Sequence, residues 1–167
     1  TGKSWTSDCS IAGRGADEYG SEVAHREVDT NYFRAMRVPV LAGRAFGAGD
    51  RERAGRVVII NDALARRFFP GQSPLGQQLC FDRVPDYASV WRTIVGVVGS
   101  EHQSSLALAP QIEIYSPQAQ DATNELSVVA RVAEGRPLRL APSMRAAVAA
   151  IDPQLAVIST QSLDDVV

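Results

Sequence analysis

The chain has 167 residues, of which 45% are hydrophobic and 22% are charged, and its formal net charge at pH 7 is −2. This length suits one ordinary domain or two small lobes with a real core, and the sequence contains no run of about 18 apolar residues that could span a membrane. The 17 Lys and Arg residues form no run of five or more, so the charge pattern argues against a nucleic-acid-binding protein.

The first part of the chain predicts little regular structure. Residues 1–21 are rich in Gly, Ser and Asp and follow no sustained period, so we predict an irregular N-terminal segment. Residues 22–28 alternate between apolar and polar side chains and predict a half-buried strand. The next residues, DTNYFRAM, predict a short helix capped by Asp29 or Thr30, with Phe33 on its inner side.

The stretch RRFFPGQSPLG, residues 66–76, invites a phosphate-loop interpretation because of its glycines. It belongs to a region with a predicted strand over residues 56–60 and a helix that Asn61 caps, with Leu64 and Phe68 on its apolar side. A phosphate loop needs the order strand, glycine-rich loop, helix, so that the helix N-terminus faces the anion. Here the glycines follow the helix. The pattern therefore predicts a helix end and a turn into the strand QQLCF.

Three strands, one helix and a final strand are predicted in the rest of the chain. The strands comprise residues 90–99, which alternate strictly between two faces, and residues 111–115, 125–132 and 154–160. The helix comprises residues 138–151, with Pro142 in its first turn. Strand, helix and strand in succession form a βαβ unit or its split equivalent. We therefore predict a strand-rich middle and such a unit at the C-terminal end.

His25 and His102 are the two histidines and hence the candidate general bases. His25 lies inside a predicted strand, where a structural histidine is the more common case. His102 lies in the polar loop GSEHQSSL, where Glu101, Ser104 and Ser105 could be drawn with it as a triad. Residues adjacent in sequence rarely converge in a catalytic geometry, and the sequence has no G-x-S-x-G motif. We therefore predict no catalytic residue.

No cofactor site and no metal site is predicted either. Cys9 and Cys80 match no zinc or redox spacing, and they either pair in an oxidising compartment or remain free thiols. Asp164 and Asp165 are neighbours whose side chains point apart, so they indicate a solvated pair or a helix start rather than an acid–base dyad.

Four segments, taken in order, resemble one protein family. They extend over roughly residues 28–157 and are VDTNYFRAMRVPVLAGRAFGAGD, VVIINDALARRFFPGQSPLGQQL, WRTIVGVVGS and IDPQLAVIST. The sequence is similar here to the extracytoplasmic core domain of MacB-like, FtsX-type ABC transporter permeases. In that family the central block is a signature formed by a helix end and a turn. Arg44 and Asp50 resemble turn positions of the family, and we interpret them as structural.

The resemblance implies an α+β fold with two lobes. A porter-like lobe with βαβ elements would comprise residues 22–55 and 111–167, and a smaller, strand-rich lobe of residues 56–110 would be inserted between them. The family ordinarily has a further strand and helix on the N-terminal side, and residues 1–21 do not resemble these elements.

The resemblance also implies a non-enzymatic function. The domain would face the periplasm or extracytoplasmic space from the inner membrane and relay movement driven by a cytoplasmic ATPase. Implied partners are the transmembrane helices of the permease, that ATPase, a second permease copy in a dimer and, as a further candidate, a periplasmic adaptor. The alternative is a free-standing extracytoplasmic sensor or enzyme that binds a small ligand in a cleft between two lobes. The transported substrate is not predicted, because it depends on segments outside this sequence.

Overall fold

The computed structural model describes residues 5–15, 18, 21–100, 111–121, 127–132, 136–155, 157 and 159–162. These residues form strands and a few short helices, which confirms the predicted α+β class. In chain order the elements are β1 (Trp5–Ile11), β2 (Ser21–Val28), α1 (Tyr32–Met36), β3 (Val40–Gly43), β4 (Val57–Asn61), α2 (Asp62–Phe68), β5 (Gln78–Cys80), β6 (Arg92–Val98), β7 (Glu113–Pro117), a 3-10 helix (Pro137–Leu140) and α3 (Ala141–Ile151). None of the described helices has the length and hydropathy needed to cross a membrane.

The chain divides into two compact units, residues 2–128 and residues 129–167. The strands β1 to β7 and the helices α1 and α2 belong to the first unit, and α3 belongs to the second. Strands of the predicted porter-like lobe (β2, β3 and β7) share one sheet with strands of the predicted inserted lobe (β4 and β6). This sheet crosses the predicted boundary and so does not separate the two lobes, and the division into them remains a prediction.

Six strands of the first unit close into a ring. They are hydrogen-bonded in the order β6, β4, β7, β2, β1 and β5, and β5 pairs again with β6. Leu79 in β5 marks the closure, since it is opposite Ile11 of β1 on one side and Arg92 of β6 on the other. Strand β3 lies outside the ring and pairs with the later part of β6.

Apolar side chains fill the inside of this ring. In β6 both Ile94 and Val97 point inward, because the register against β4 shifts between them, so the strict alternation predicted for residues 90–99 is wrong. Eight-stranded barrels are just wide enough for side chains to fill them. A ring of six strands is narrower, so side chains fill its interior and a cavity has room only at its ends. All six ring strands and the region of α2 contribute to the cluster: Cys9, Ile11, Val23, Val58, Ile60, Leu64, Phe68, Phe69, Leu79, Ile94, Val97 and Ile114.

Helix α2 covers one end of the ring. Its N-terminus is fixed by Asn61, whose side-chain oxygen accepts from Leu64 N at 2.9 Å and from Glu113 N at 3.2 Å. This bond pattern ties the helix to β7, and it confirms the predicted cap. Leu64 and Phe68 pack into the ring interior as predicted. The chain then turns at Gly71, where φ is 71°, and continues into β5, so the predicted helix end and turn are confirmed.

A second apolar cluster covers the outer face of β2, β4, β6 and β7. Helix α1 contributes Phe33, whose buried ring meets the Tyr115 ring edge-on at 5.0 Å between centroids, so its predicted inward position is confirmed. After β3, Arg44 donates two hydrogen bonds to the Asp50 carboxylate at 2.6 and 2.7 Å. The same carboxylate accepts from Gly47 N at 2.8 Å and thereby holds the turn together.

Two predictions about the first part of the chain are wrong. Residues 5–11 of the predicted irregular segment form β1, because pairing with β2 on one side and β5 on the other outweighs a composition that disfavours strands. The N-cap of α1 is Asn31 rather than Asp29 or Thr30. The Asp29 carboxylate accepts from Asn31 N at 3.0 Å, which forms a turn just before the helix.

The predicted C-terminal strand–helix–strand unit is confirmed in its helix alone. Helix α3 has Pro142 in its first turn, as predicted. At the described positions within residues 125–132 and 154–160 no strand is formed. A strand needs a hydrogen-bonded neighbour, and the apolar side chains of Val128 and Leu155 are exposed instead of covered by one.

Gly96 lies where the chain after β3 approaches β6 closely. A Cβ atom added there would lie 2.3 Å from the Arg44 carbonyl oxygen, whereas one added at Gly49 would meet nothing within 4 Å. We expect Gly96→Ala to lower the free energy of unfolding by about 1–3 kcal/mol, because the chain at Arg44 has to move away. Gly49→Ala should change it by less than about 0.5 kcal/mol. Urea denaturation measures both, and equal stability of the two variants would contradict the close approach.

Candidate functional site

The end of the ring opposite α2 is open and contains a small cavity. Strand β4 leads into α2, and β6 runs parallel to β4, so the start of β6 lies at the end far from that helix. The cavity at this end has a volume of about 160 Å³. Aromatic and charged side chains from β1, β2 and β6 and from the segments after β5 and β7 line it, together with Ser116: Trp5, His25, Arg26, Glu27, Phe81, Arg92 and Asp121.

His25 is held between two aromatic rings of this cavity. Its imidazole stacks on Trp5 with 4.2 Å between centroids and 14° between ring planes, and it meets Phe81 at 4.2 Å and 68°. Ser7 Oγ lies 2.8 Å from His25 Nε2, and the same hydroxyl donates to the Asp8 carbonyl oxygen at 2.9 Å. Because a hydroxyl has one proton to donate, we assign the imidazole hydrogen to Nε2, which leaves Nδ1 as an acceptor.

The His25 imidazole is neutral at physiological pH. Burial lowers its pKa from 6.5 to about 4, and the positive charge of Arg92 acts in the same direction. The residue is only 2% exposed, and Nδ1 finds no hydrogen-bond partner among the described residues. A buried acceptor without a partner is uncommon in proteins.

Charged side chains of both signs border the aromatic rings. The Arg92 guanidinium lies 4.0 Å from the centroid of the Phe81 ring, in a cation–π arrangement. Asp121 forms an ion pair with Arg56 at 2.7 Å. Burial raises the pKa of the Glu27 carboxyl, and the nearby charge of Asp121 adds to this. Within the described part of the chain, neither Arg92 nor Glu27 has an ion-pair partner.

Gln120 fixes the position of Asp121 at the rim. It is buried, its side-chain oxygen accepts from Val57 N at 3.1 Å, and its side-chain amide donates to the Gly55 carbonyl oxygen at 3.0 Å. These bonds attach the segment after β7 to the start of β4. Asp121 is thereby held beside Arg56, at the same end of the ring as His25.

Of the residues singled out in the sequence, His25 is the one that the structure brings into the cavity. Its distance to Ser7 is that of a nucleophile and base, but the Ser7 proton goes to Asp8, and no described carboxylate bonds to Nδ1, so the pair does not form a triad. The candidate triad around His102 (with Glu101, Ser104 and Ser105) and the pair Asp164 and Asp165 lie outside the described residues.

Cys9 and Cys80 are buried free thiols. Ser10 is opposite Cys80 in the pairing of β1 with β5, and neighbouring residues of a strand alternate, so the two cysteines point to opposite faces of the sheet. Burial raises the pKa of the Cys9 thiol to about 12 and also raises that of Cys80. Among the described residues, no three His, Cys, Asp or Glu side chains converge as metal ligands.

The residues that surround His25 do not stand out in the sequence. Trp5 lies in a segment whose composition predicts irregular structure, although alternation along a strand places it on one face with Ser7 and Cys9. Phe81, Arg92 and Asp121 follow or begin strands, and they meet only because β5 joins β1 to β6. The available signal was the position of these residues at strand ends. That position indicates a common site only when the order of the strands in the ring is known.

Residues 5–156 match the sequence model of a family described as MacB-like periplasmic core domain. A probable syringafactin export ATP-binding/permease protein, SyfD, of Pseudomonas syringae pv. tomato is 28% identical over 117 residues, which cover 66% of this chain and 16% of that protein. A probable export ATP-binding/permease protein, MacB, of Pseudomonas entomophila is 26% identical over 134 residues, which cover 71% of this chain and 19% of that protein. The chain thus spans less than a fifth of the length of these curated relatives.

A solved structure with the same fold is the periplasmic region of MacB from Actinobacillus actinomycetemcomitans. The TM-score is 0.63 at 14% sequence identity, and the match covers 89% of this chain and 64% of that one. Because the identity is low, this likeness shows the fold, which is strand-rich α+β.

The lowered pKa of His25 predicts a loss of stability on acidification. The imidazole of the unfolded chain binds a proton near pH 6.5, whereas the folded one does so near about 4. The contribution of neutral His25 is therefore complete above pH 6.5 and is lost as the pH falls toward 4, by up to about 3 kcal/mol. We expect His25→Gln to gain stability relative to the wild type over this window. Urea denaturation at closely spaced pH values measures the difference, and a constant difference would contradict the assignment.

Proposed function

Because the chain belongs to the family of MacB-like periplasmic core domains, we propose that it acts as the extracytoplasmic domain of an ABC transporter permease and relays movement driven by a cytoplasmic ATPase. The observation that carries the proposal is the family match over residues 5–156. Two relatives whose names combine ATP-binding and permease support it. In this proposal the full-length protein lies in the inner membrane, and the domain works without catalysing a reaction.

A closed ring is suited to the transmission of movement. The edge strand of an open sheet can separate from its single neighbour, whereas each ring strand here has a hydrogen-bonded neighbour on both sides. The apolar clusters inside and outside the ring join it to α1 and α2. A force on one strand is therefore distributed over the whole first unit, which supports a rigid relay element rather than a flexible spacer.

We propose four kinds of partner for this domain: the transmembrane helices of the permease, the cytoplasmic ATPase, a second permease copy in a dimer, and a periplasmic adaptor. The matched regions cover 16% and 19% of the two curated relatives, which are ATP-binding/permease proteins. This small share supports the proposal that the membrane-embedded and ATP-binding parts are supplied by segments or subunits beyond this domain.

The loop between β5 and β6 is the surface that best fits a partner contact. It presents the exposed apolar side chains of Val84, Tyr87 and Val90. Its first residues are anchored, because Ser10 Oγ donates to the Asp82 carbonyl oxygen at 2.9 Å. Apolar side chains on a fixed backbone lose little conformational freedom on binding, which supports contact with a protein partner outside the membrane.

Cysteine labelling in the full-length permease tests both the location and this contact. Both cysteines of this chain are buried, so a cysteine placed at exposed Arg53 or Tyr87 is the accessible thiol of this domain. With a membrane-impermeant maleimide we expect Arg53→Cys to be labelled in cells whose outer membrane alone is permeabilised. We expect Tyr87→Cys to be labelled several-fold more slowly in the assembled transporter than in the isolated chain, while Arg53→Cys, the matched control, reacts equally in both.

Two outcomes would contradict the proposal in different ways. Labelling of Arg53→Cys only after cell lysis would overturn the extracytoplasmic location. Equal rates for Tyr87→Cys in the assembly and the isolated chain would overturn the contact at this loop. A parent gene without apolar runs of about 20 residues beside this domain would instead favour the free-standing sensor or enzyme.

A further inference from the structure

We propose that the open end of the ring binds a small zwitterion, such as a free α-amino acid, with its carboxylate at Arg92 and its ammonium at Glu27 and Asp121. The cavity of about 160 Å³ at this end would hold the ligand, with Trp5 and Phe81 beside its side chain. The inference uses only side chains of the first unit. It is therefore independent of the proposed transport function.

The two unpaired charges lie on opposite sides of the ring. Arg92 begins β6, and Glu27 lies near the end of β2. In the ring order, β4 and β7 separate these strands on one side, and β5 and β1 separate them on the other. A ligand with a carboxylate at one end and an ammonium at the other compensates both charges at once, whereas a ligand with one charge leaves the opposite group without compensation.

Asp121 adds a second carboxylate to the cavity lining. It follows β7, the ring neighbour of β2, and Gln120 attaches it to the start of β4, so its charge acts on both Glu27 and Arg92. Its ion pair with Arg56 fixes the carboxylate in place. The shared effect of these two carboxylates is visible in Glu27, whose pKa is raised by burial and by Asp121. An ammonium group between them would relieve this repulsion.

His25 borders the cavity without offering it a hydrogen-bond acceptor. The imidazole is one of the lining groups, but its Nδ1 is fully buried, so the acceptors that line the cavity for an ammonium are the carboxylates of Glu27 and Asp121. Because the imidazole is neutral at physiological pH, it does not repel a cationic group there.

The size of the cavity limits the ligand to a small molecule. Its volume of about 160 Å³ lies below the ~300–1,000 Å³ of the pockets that drug-sized ligands occupy. An amino acid with a small branched side chain fits this volume. The half-exposed indole of Trp5 and the partly exposed ring of Phe81 supply the apolar surface for such a side chain.

Nuclear magnetic resonance titration of the purified chain tests the proposal with three probes of one carbon skeleton. L-Valine carries both charges, isobutylamine lacks the carboxylate, and isovalerate lacks the ammonium. We expect L-valine to shift the Trp5 indole resonance saturably and the other two probes to bind at least about tenfold more weakly. Arg92→Gln and Glu27→Gln should each weaken L-valine binding by at least about tenfold. Arg66→Gln, on α2 at the covered end, is the matched control and should leave it unchanged.

The outcomes distinguish the zwitterion site from its alternatives. Isobutylamine binding as tightly as L-valine would make this a cation site, equal binding of isovalerate would make it an anion site, and either result overturns the proposal. Absence of L-valine binding to the wild type overturns it as well. A lower melting temperature of Arg92→Gln would show that loss of the Phe81 contact destabilises the chain. Arg92→Lys then serves as the second variant, because it retains a positive charge, and it should bind L-valine within a few-fold of the wild type. Binding to Arg92→Lys as weak as to Arg92→Gln would contradict the role of the charge.

Discussion

The double pairing of β5 is the constraint on which the rest of the first unit depends. This strand has three residues, and its central residue, Leu79, is fully buried opposite both Ile11 of β1 and Arg92 of β6. Without β5 the sheet would have free edges along β1 and along the start of β6, whose later part pairs with β3. The apolar cluster between the strands would then be open to water along one side, at a cost of roughly 25 cal/mol for each Å² of apolar surface exposed. The turn in RRFFPGQSPLG thus has a structural role, because it directs the chain into β5, which lies between β1 and β6.

Closure of the ring also explains why its two ends differ. The end that β4 leaves is covered by α2, because Asn61 starts the helix immediately and binds β7 with the same side chain. The other end has no comparable helix among the described residues, and it is lined by side chains that strand starts and ends bring together. A rigid body with one covered end and one open end is consistent with both proposals, in which the ring would transmit movement and the open end would bind a small molecule.

Features encoded by neighbouring residues could be predicted from the sequence, and features created by closure could not. The cap at Asn61, the inward positions of Leu64 and Phe68, and the turn after α2 follow from local patterns and were predicted. Strand β1 was missed because its pairing with β2 and β5, rather than its composition, makes it a strand. For the same reason His25 was identified while its partners Trp5 and Phe81 were not. The opposite error concerns the C-terminal end. Apolar runs such as that around Val128 predict strands, but among the described residues no neighbouring strand pairs with them.

Amide hydrogen exchange at the two seams of β5 tests the closure most directly. The Ala12 amide donates across the β1 seam to the Gln78 carbonyl oxygen at 2.9 Å, and the Ile94 amide donates across the β6 seam to the Gln77 carbonyl oxygen at 2.9 Å. The closed ring predicts that both amides exchange as slowly as those in the centre of β4, because all of them require global unfolding to open. Rapid exchange at either seam, with β4 still protected, would show that the ring is open there and would contradict the account.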